Sequence, residues 1–295
     1  MAPLISCENI SKTYLPDVIA LTNISFKIDS GEFIILAGPN GAGKTTLLKL
    51  LYGELEPTTG TLRVNVPLGR IGVMPQEITL FEELTTWEHT YYLSLLKGIE
   101  KTKCKIYAEN VLRNLGLWSK KDTIVKKLSG GQKRLLCASQ ALVGENYFLM
   151  LDEPTIQVDV ENRLAMYNML EELKKTGVSI LYTTHFLDEI GQRVDRLILL
   201  NHGQILYDGL PDNILDDLYH SKIEIPKTEA TLGLIKNMGV LFSESDSQIS
   251  VFLRRNEISL LKDLFDSGIT EILEGIRISR PTLEEGYLNY LKGSL

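Results

Sequence analysis

Short apolar runs closed by turn residues recur along the chain, and between them apolar positions return at helical spacing. Phe33-Ile34-Ile35-Leu36-Ala37, Phe148 to Leu151, Ser179 to Thr183 and Arg196 to Asn201 are too short for buried helices. Their β-branched and aromatic content predicts strands covered on both faces. The segments Thr45 to Tyr52, Val160 to Thr176 and Phe186 to Arg193 read as helices. Strands alternating with helices predict a parallel sheet with covering helices, an α/β class. Ile5 to Lys12 and Ile19 to Ile28 carry a different pattern and predict an antiparallel β edge on a mixed sheet core. From about Leu80 to Lys127 the spacing of Trp87, Tyr91, Leu95 and then Val111, Leu112, Leu115 predicts a helical subdomain inserted into that core.

Beyond Leu218 the rhythm changes. Lys222 to Ile225 and Gln248 to Arg254 alternate as strands, Ile272 to Ile278 does so more weakly, and a short strand fits Val240 to Ser243. Glu229 to Met238 and Glu257 to Asp266 read as helices between them, and Pro281 opens a terminal helix through Leu291. The expectation is a first domain over 1–218 and a small C-terminal α+β domain over 219–295 with βαββαβ order, a ferredoxin-like arrangement.

Composition narrows the function classes. A net charge of −7 argues against a general nucleic-acid partner, which needs a basic face. Cys7, Cys104 and Cys137 are odd in number and unclustered, which fits a reducing cytoplasm and buried thiols. No apolar run reaches the roughly 18–20 residues that a bilayer needs, and the N-terminus lacks the charged and apolar regions of a secretory leader.

The first chemistry lies between the strand at Phe33 to Ala37 and the helix after it. Gly38-Pro39-Asn40-Gly41-Ala42-Gly43-Lys44-Thr45-Thr46 fits G-x-x-x-x-G-K-[ST] in the strand–loop–helix context that defines a P-loop. Its glycines let backbone N–H groups turn inward around phosphates, and the helix N-terminus adds its positive end. Lys44 is placed to reach the β- and γ-phosphates of ATP, and the Thr45 hydroxyl to bind Mg²⁺. Farther along, the apolar strand ending at Leu151 runs into Asp152-Glu153-Pro154. Asp152 at a strand's carboxyl end suits the Mg²⁺ shell, and Glu153, pointing the other way, suits the attacking water. His185, one of four histidines, follows another such strand and is a candidate donor to the γ-phosphate.

Leu128-Ser129-Gly130-Gly131-Gln132-Lys133-Arg134 opens a second helix with a second anion-binding turn. With this motif the chain, over roughly residues 4 to 215, resembles an ABC ATPase. The resemblance implies two subunits facing head to tail, each P-loop nucleotide capped by the partner's Ser129, Gly130, Gly131 and Gln132. It likewise implies that Tyr14 stacks on adenine and that Gln76 touches Mg²⁺ and water. One departure stands out: Thr155-Ile156-Gln157-Val158-Asp159 carries Gln157 where the family has glycine.

The stretch Asn201 to Gly209 and the tail Arg280 to Tyr287 resemble ATPase subunits of ABC exporters, whose membrane protein is a separate chain. The implied function is ATP hydrolysis by a dimer that drives a transmembrane permease subunit from the cytoplasmic face, docking it through Gln76 to Trp87. Two alternatives stay open on these grounds. One is a soluble ABC ATPase of ribosomes or chromosomes, although a second core and heptad coiled coils are lacking. The other is a hydrolysis-poor regulatory subunit.

Overall fold

The computed structural model describes residues 2–184, 187–190, 193–218, 221–254, 257, 259, 260, 262 and 275–287. Two compact units divide the chain, Met1–Asp208 and Gly209–Leu295. The first begins with β1 (Ile5–Tyr14), β2 (Val18–Ile28), β3 (Phe33–Ala37), α1 (Lys44–Leu51), β4 (Thr59–Val64) and β5 (Ile71–Met74). Three helices follow, α2 (Thr86–Leu96), α3 (Lys101–Asn114) and α4 (Gly130–Leu142). The chain then returns through β6 (Phe148–Leu151), α5 (Val160–Lys175), β7 (Ser179–Thr183), α6 (Leu187–Ile190), β8 (Arg196–Asn201) and β9 (Gln204–Gly209).

Six strands form one sheet in the order β5-β6-β7-β3-β8-β9. β5 to β8 pair in parallel, as the short apolar runs predict. All five residues of β3 are buried, in keeping with a strand covered on both faces. β9 reaches the edge through a two-residue turn, His202 and Gly203, with φ of 44° and 72°, the left-handed pair that matches strand twist in a hairpin. The antiparallel strands expected at the edge of this sheet form a separate three-stranded sheet instead, ordered β2-β1-β4. Ile5, Ile10, Leu21, Ile24 and Ile28 from it pack with Leu47, Leu48 and Leu51 of α1 and with Ile34, Leu36, Met150, Leu181 and Ile198 of the parallel sheet. Burying each such side chain stabilises the fold by about 1.5–3 kcal/mol, so this shared core fixes the helix after the P-loop against both sheets.

Register decides where the site forms. Met74 is paired with Leu151, Leu151 with Tyr182, and Leu36 with Thr183, so β5, β6, β7 and β3 end side by side. Ligands of open α/β sheets gather at such carboxyl ends. α2 starts at a reciprocal cap: the Thr85 side chain accepts the Glu88 N–H at 3.1 Å, and the Glu88 carboxylate accepts the Thr85 N–H at 2.8 Å.

The second unit holds α7 (Pro211–Leu218), β10 (Ser221–Pro226), α8 (Glu229–Met238), β11 (Leu241–Glu244), β12 (Gln248–Leu253) and β13 (Arg277–Ser279). Its four antiparallel strands are ordered β11-β12-β10-β13, which is the strand order of a ferredoxin-like βαββαβ unit. Ile223, Ile225, Ile249 and Val251 face Ile235 of α8 in its core. Gly239 ends α8 at φ 65°, a left-handed cap that glycine takes without strain. Most of the second expected helix, Glu257 to Asp266, lies outside the described residues, as do the start of the last expected strand and the end of the terminal helix. Residues 283–287 are helical. The division falls at 208/209 rather than 218/219, because the chain leaves the parallel sheet at the end of β9 and α7 groups with the second unit.

A candidate nucleotide site

The loop from Gly38 to Gly43 has little freedom to be anything but glycine at its tightest points. A Cβ on Gly38 would stand 2.2 Å from the Leu200 carbonyl oxygen. Gly43 adopts φ 104°, and a Cβ there would meet the Ala20 carbonyl oxygen at 2.7 Å. Gly43 is also the N-cap of α1 and offers no side-chain acceptor, so the first-turn amides of α1 are left without a side-chain cap. Uncapped amides at a helix N-terminus suit an anion.

Lys44 is buried, and its Nζ donates to the carbonyls of Gly38 at 2.7 Å and Pro39 at 3.2 Å. Burial pushes its pKa below the ordinary lysine value, against the opposing pull of the Glu153 and Asp152 charges. A cavity of about 430 Å³ opens over this loop, lined by Tyr14, Asn40, Gly41, Ala42, Gly43, Lys44, Thr45, Thr46, Gln76 and Glu153. The Tyr14 hydroxyl lies 3.3 Å from Thr46 Oγ1, which places the ring at the cavity wall.

Asp152 and Glu153 leave β6 side by side and are both buried. Asp152 Oδ2 accepts from Thr45 Oγ1 at 3.1 Å, and Asp152 Oδ1 accepts from Thr183 Oγ1 at 2.6 Å. The same Thr183 hydroxyl accepts the Glu153 N–H at 2.8 Å. Glu153 itself takes φ 49°, a left-handed conformation that is strained for a side-chain-bearing residue. The Thr45 hydroxyl and the Asp152 carboxylate thus offer converging oxygen donors, the chemistry that Mg²⁺ favours. Among the described residues no group of three acids, histidines or cysteines could hold a metal alone. The remaining ligands would be phosphate oxygens and water, the usual habit of Mg²⁺ at phosphate sites.

Ser129 is the N-cap of α4. Its hydroxyl accepts the Gln132 N–H at 3.3 Å, while Gln132 Oε1 accepts the Ser129 N–H at 3.1 Å. Ser129 and Gly130 are exposed, and residues 129–132 are not among those lining the cavity over Lys44. The fold therefore gathers Tyr14, the P-loop, Gln76, Asp152 and Glu153 at one place and presents the Ser129 turn elsewhere on the surface. Gln157 adopts φ 61°, and its carbonyl oxygen lies 2.8 Å from where a Cβ on Gly131 would stand. His185 lies outside the described residues.

Two residues of this site receive no role in the motif reading. Thr183 looks like an ordinary β-branched strand residue, and its only signal is its place at the carboxyl end of a central strand. Arg134 looks like half of a charged pair on a helix surface, yet it is fully buried.

The ABC transporter family model matches residues 21–156. Nod factor export ATP-binding protein I of Burkholderia orbicola is 33% identical over 264 residues, 86% of this chain and 83% of that protein. Its namesake from Sinorhizobium fredii is 36% identical over 222 residues, which span 72% of this chain and 64% of that protein's own length. The linearmycin resistance ATP-binding protein LnrL of Bacillus subtilis aligns over 97% of both chains at 28% identity. In fold, the chain is similar to the dimeric post-hydrolysis structure of the ATP-binding cassette MJ0796 bound to ADP and Pi. That likeness has a TM-score of 0.65 and 24% identity over 70% of this chain and 98% of the other. A P-loop, an Asp-Glu strand end and a Ser-Gly-Gly-Gln helix turn held in this geometry, together with 33% identity over most of the length of a Nod factor export ATP-binding protein, mean that the chain belongs to the ABC transporter ATPase family.

Proposed function

We propose that this chain is the ATP-hydrolysing subunit of an ABC exporter, dimerising around two Mg–ATP and driving a separate transmembrane subunit. The observation that carries the catalytic part is the Thr45–Asp152–Thr183–Glu153 hydrogen-bonded run beside Lys44. Lys44 binds the β- and γ-phosphates, with the uncapped amides of α1 sharing the anion. Thr45 and Asp152, with Gln76 nearby, would hold Mg²⁺, which would neutralise phosphate charge when bound. Glu153 orients and deprotonates the attacking water. Its main chain is held in place before substrate arrives, so catalysis rests on positioning and electrostatics. Ser129, Gly130, Gly131 and Gln132 cap the partner subunit's nucleotide, which fits the exposure of Ser129 and Gly130 away from the chain's own cavity. The dimeric MJ0796 cassette supports the pairing.

The export direction rests on the relatives named for Nod factor export and linearmycin resistance. No described helix is long and apolar enough to cross a membrane. In this reading the bilayer-spanning part is a separate partner docked at the cytoplasmic face, with Gln76 to Trp87 as the contact. In this reading the unit Met1–Asp208 is the catalytic domain and the unit Gly209–Leu295 an appended α+β domain. The net charge of −7 leaves nucleic acid outside the partner list.

Steady-state ATP turnover of the wild type and of Glu153→Gln tests the proposal. The wild type turns over, while the variant binds ATP, stops hydrolysing and runs as a dimer in size-exclusion chromatography with Mg–ATP. Turnover left intact in the variant removes Glu153 from its role. A wild type that binds ATP but never hydrolyses it leaves the regulatory-subunit reading instead.

A further inference from the structure

Arg134 is among the largest fully buried side chains of the molecule. A buried guanidinium is held only where acceptors fill its fork, and carboxylates are its usual partners. Here the partners are main-chain carbonyls. Nε and Nη2 donate to the Glu153 carbonyl at 3.1 and 2.8 Å, Nη2 also donates to the Asp152 carbonyl, and Nη1 donates to the Gln76 carbonyl at 2.5 Å. One side chain therefore binds the segments that follow β5 and β6 to the first turns of α4.

The arrangement accounts for the strained conformation of Glu153. Its N–H is taken by Thr183 and its carbonyl by Arg134, so both polar groups of that residue's backbone are fixed by side chains. A left-handed conformation in a residue with a Cβ persists only where its surroundings impose it. At this same end α4 carries the Ser129–Gln132 turn, and the segment after Glu153 rests against that turn through the Gln157 carbonyl.

We infer that Arg134 is a positioning residue that makes the geometry of Glu153 and Gln76 depend on the placement of α4. Since the Ser129 turn meets the partner's nucleotide in the function proposed above, on which this inference rests, Arg134 links the two ATP sites through one chain. A phosphate engaging Ser129 to Gln132 shifts α4, and the fork transmits that shift to the Glu153 carbonyl. Lysine cannot replace it, because a single ammonium cannot span three carbonyls with a planar fork.

The test is Arg134→Lys in the full chain, with ATP binding measured by a fluorescent ATP analogue and turnover measured against ATP concentration. The expected result is nucleotide affinity within about threefold of wild type, kcat lower by about tenfold or more, and a Hill coefficient falling towards one. A kcat and Hill coefficient matching wild type overturn the inference, as does an affinity that falls in step with kcat. If thermal melting shows that Arg134→Lys does not fold, Ser129→Ala supplies the second measurement, since Ser129 is exposed. Hydrogen exchange of 152–155 on adding Mg–ATP should then show less protection than in wild type; equal protection overturns the link. A wild type without turnover would sink the ATPase reading alone, and the exchange comparison would still decide Arg134.

Discussion

The Thr183 hydroxyl donates to the Asp152 carboxylate at 2.6 Å. It also takes the N–H of Glu153, so one buried hydroxyl orients both the Asp152 carboxylate, proposed to hold Mg²⁺, and the backbone of Glu153, proposed to orient the water. β7 supplies it because the parallel register sets Tyr182 beside Leu151, so Thr183 falls level with the first residue after β6. Asp152 is then held from two sides, by Thr45 on α1 and by Thr183 on β7.

Thr183→Val keeps the shape of that side chain and removes both hydrogen bonds. Leaving the buried Glu153 N–H without its acceptor costs about 1–3 kcal/mol, read as a lower melting temperature. Turnover should fall by about tenfold or more, and the Mg²⁺ concentration for half-maximal rate should rise, because Asp152 loses one of its two anchors. Thr183→Ser restores the hydroxyl and should recover most of both. A valine variant with wild-type Mg²⁺ dependence would separate Thr183 from the metal corner.

The strands that build this site were legible because their apolar runs are short and unbroken: Ser179 to Thr183 and Arg196 to Asn201 appear as read. The P-loop, Asp152 and Glu153 were legible for the same reason, since each motif abuts such a strand. Thr183 was hidden because β-propensity alone explains a threonine there. Arg134 was hidden because its burial is a tertiary effect: the ends of β5 and β6 fold over a helix face that reads as charged. The separate antiparallel sheet was not legible either, because pairing β1 with the distant β4 is a long-range choice that local alternation does not encode.

The glycines of the loop differ in what they permit. Gly43→Ala places a Cβ 2.7 Å from both the Ala20 carbonyl and Leu21 Cδ2 in a backbone already at φ 104°. Gly41, at φ 78°, faces open space, so alanine there meets only the left-handed strain of about 1–2 kcal/mol. Gly43→Ala should therefore melt at lower temperature than Gly41→Ala and lose more ATP affinity in equilibrium titration. Equal losses would mean that backbone conformation alone, and not the close approach of β2, governs the loop.

Lys44 sits in the fold at a disadvantage to its own charge. Burial lowers its pKa, so the folded state holds the proton less tightly than the unfolded chain does. The destabilisation is complete below the folded pKa and is relieved as pH rises through it towards the ordinary lysine value. Lys44→Met removes that burden together with the phosphate contacts. ATP affinity should drop by about tenfold to a hundredfold, the worth of charge-assisted hydrogen bonds, while the melting temperature near neutral pH stays level or rises. A variant less stable than wild type would show that the Gly38 and Pro39 carbonyls depend on the ammonium for their place.

Gln157, which stands where the resemblance to the family leads one to expect glycine, takes a conformation that glycine would take freely. At φ 61° a side-chain-bearing residue is strained by about 1–2 kcal/mol, whereas glycine loses about 0.5–1 kcal/mol in chain entropy instead. Gln157→Gly should therefore leave the melting temperature level or slightly higher. Gln157→Val adds β-branching where left-handed backbone tolerates it least, so stability should fall. The turn then moves against Gly131, whose backbone already lies close to the Gln157 carbonyl, and α4 moves with it. Turnover should accordingly drop in the valine variant and hold in the glycine variant, with ATP affinity unchanged in both. If glycine slows turnover as much as valine does, the glutamine side chain itself takes part in the reaction, and its place beside Gly130 becomes the point to probe.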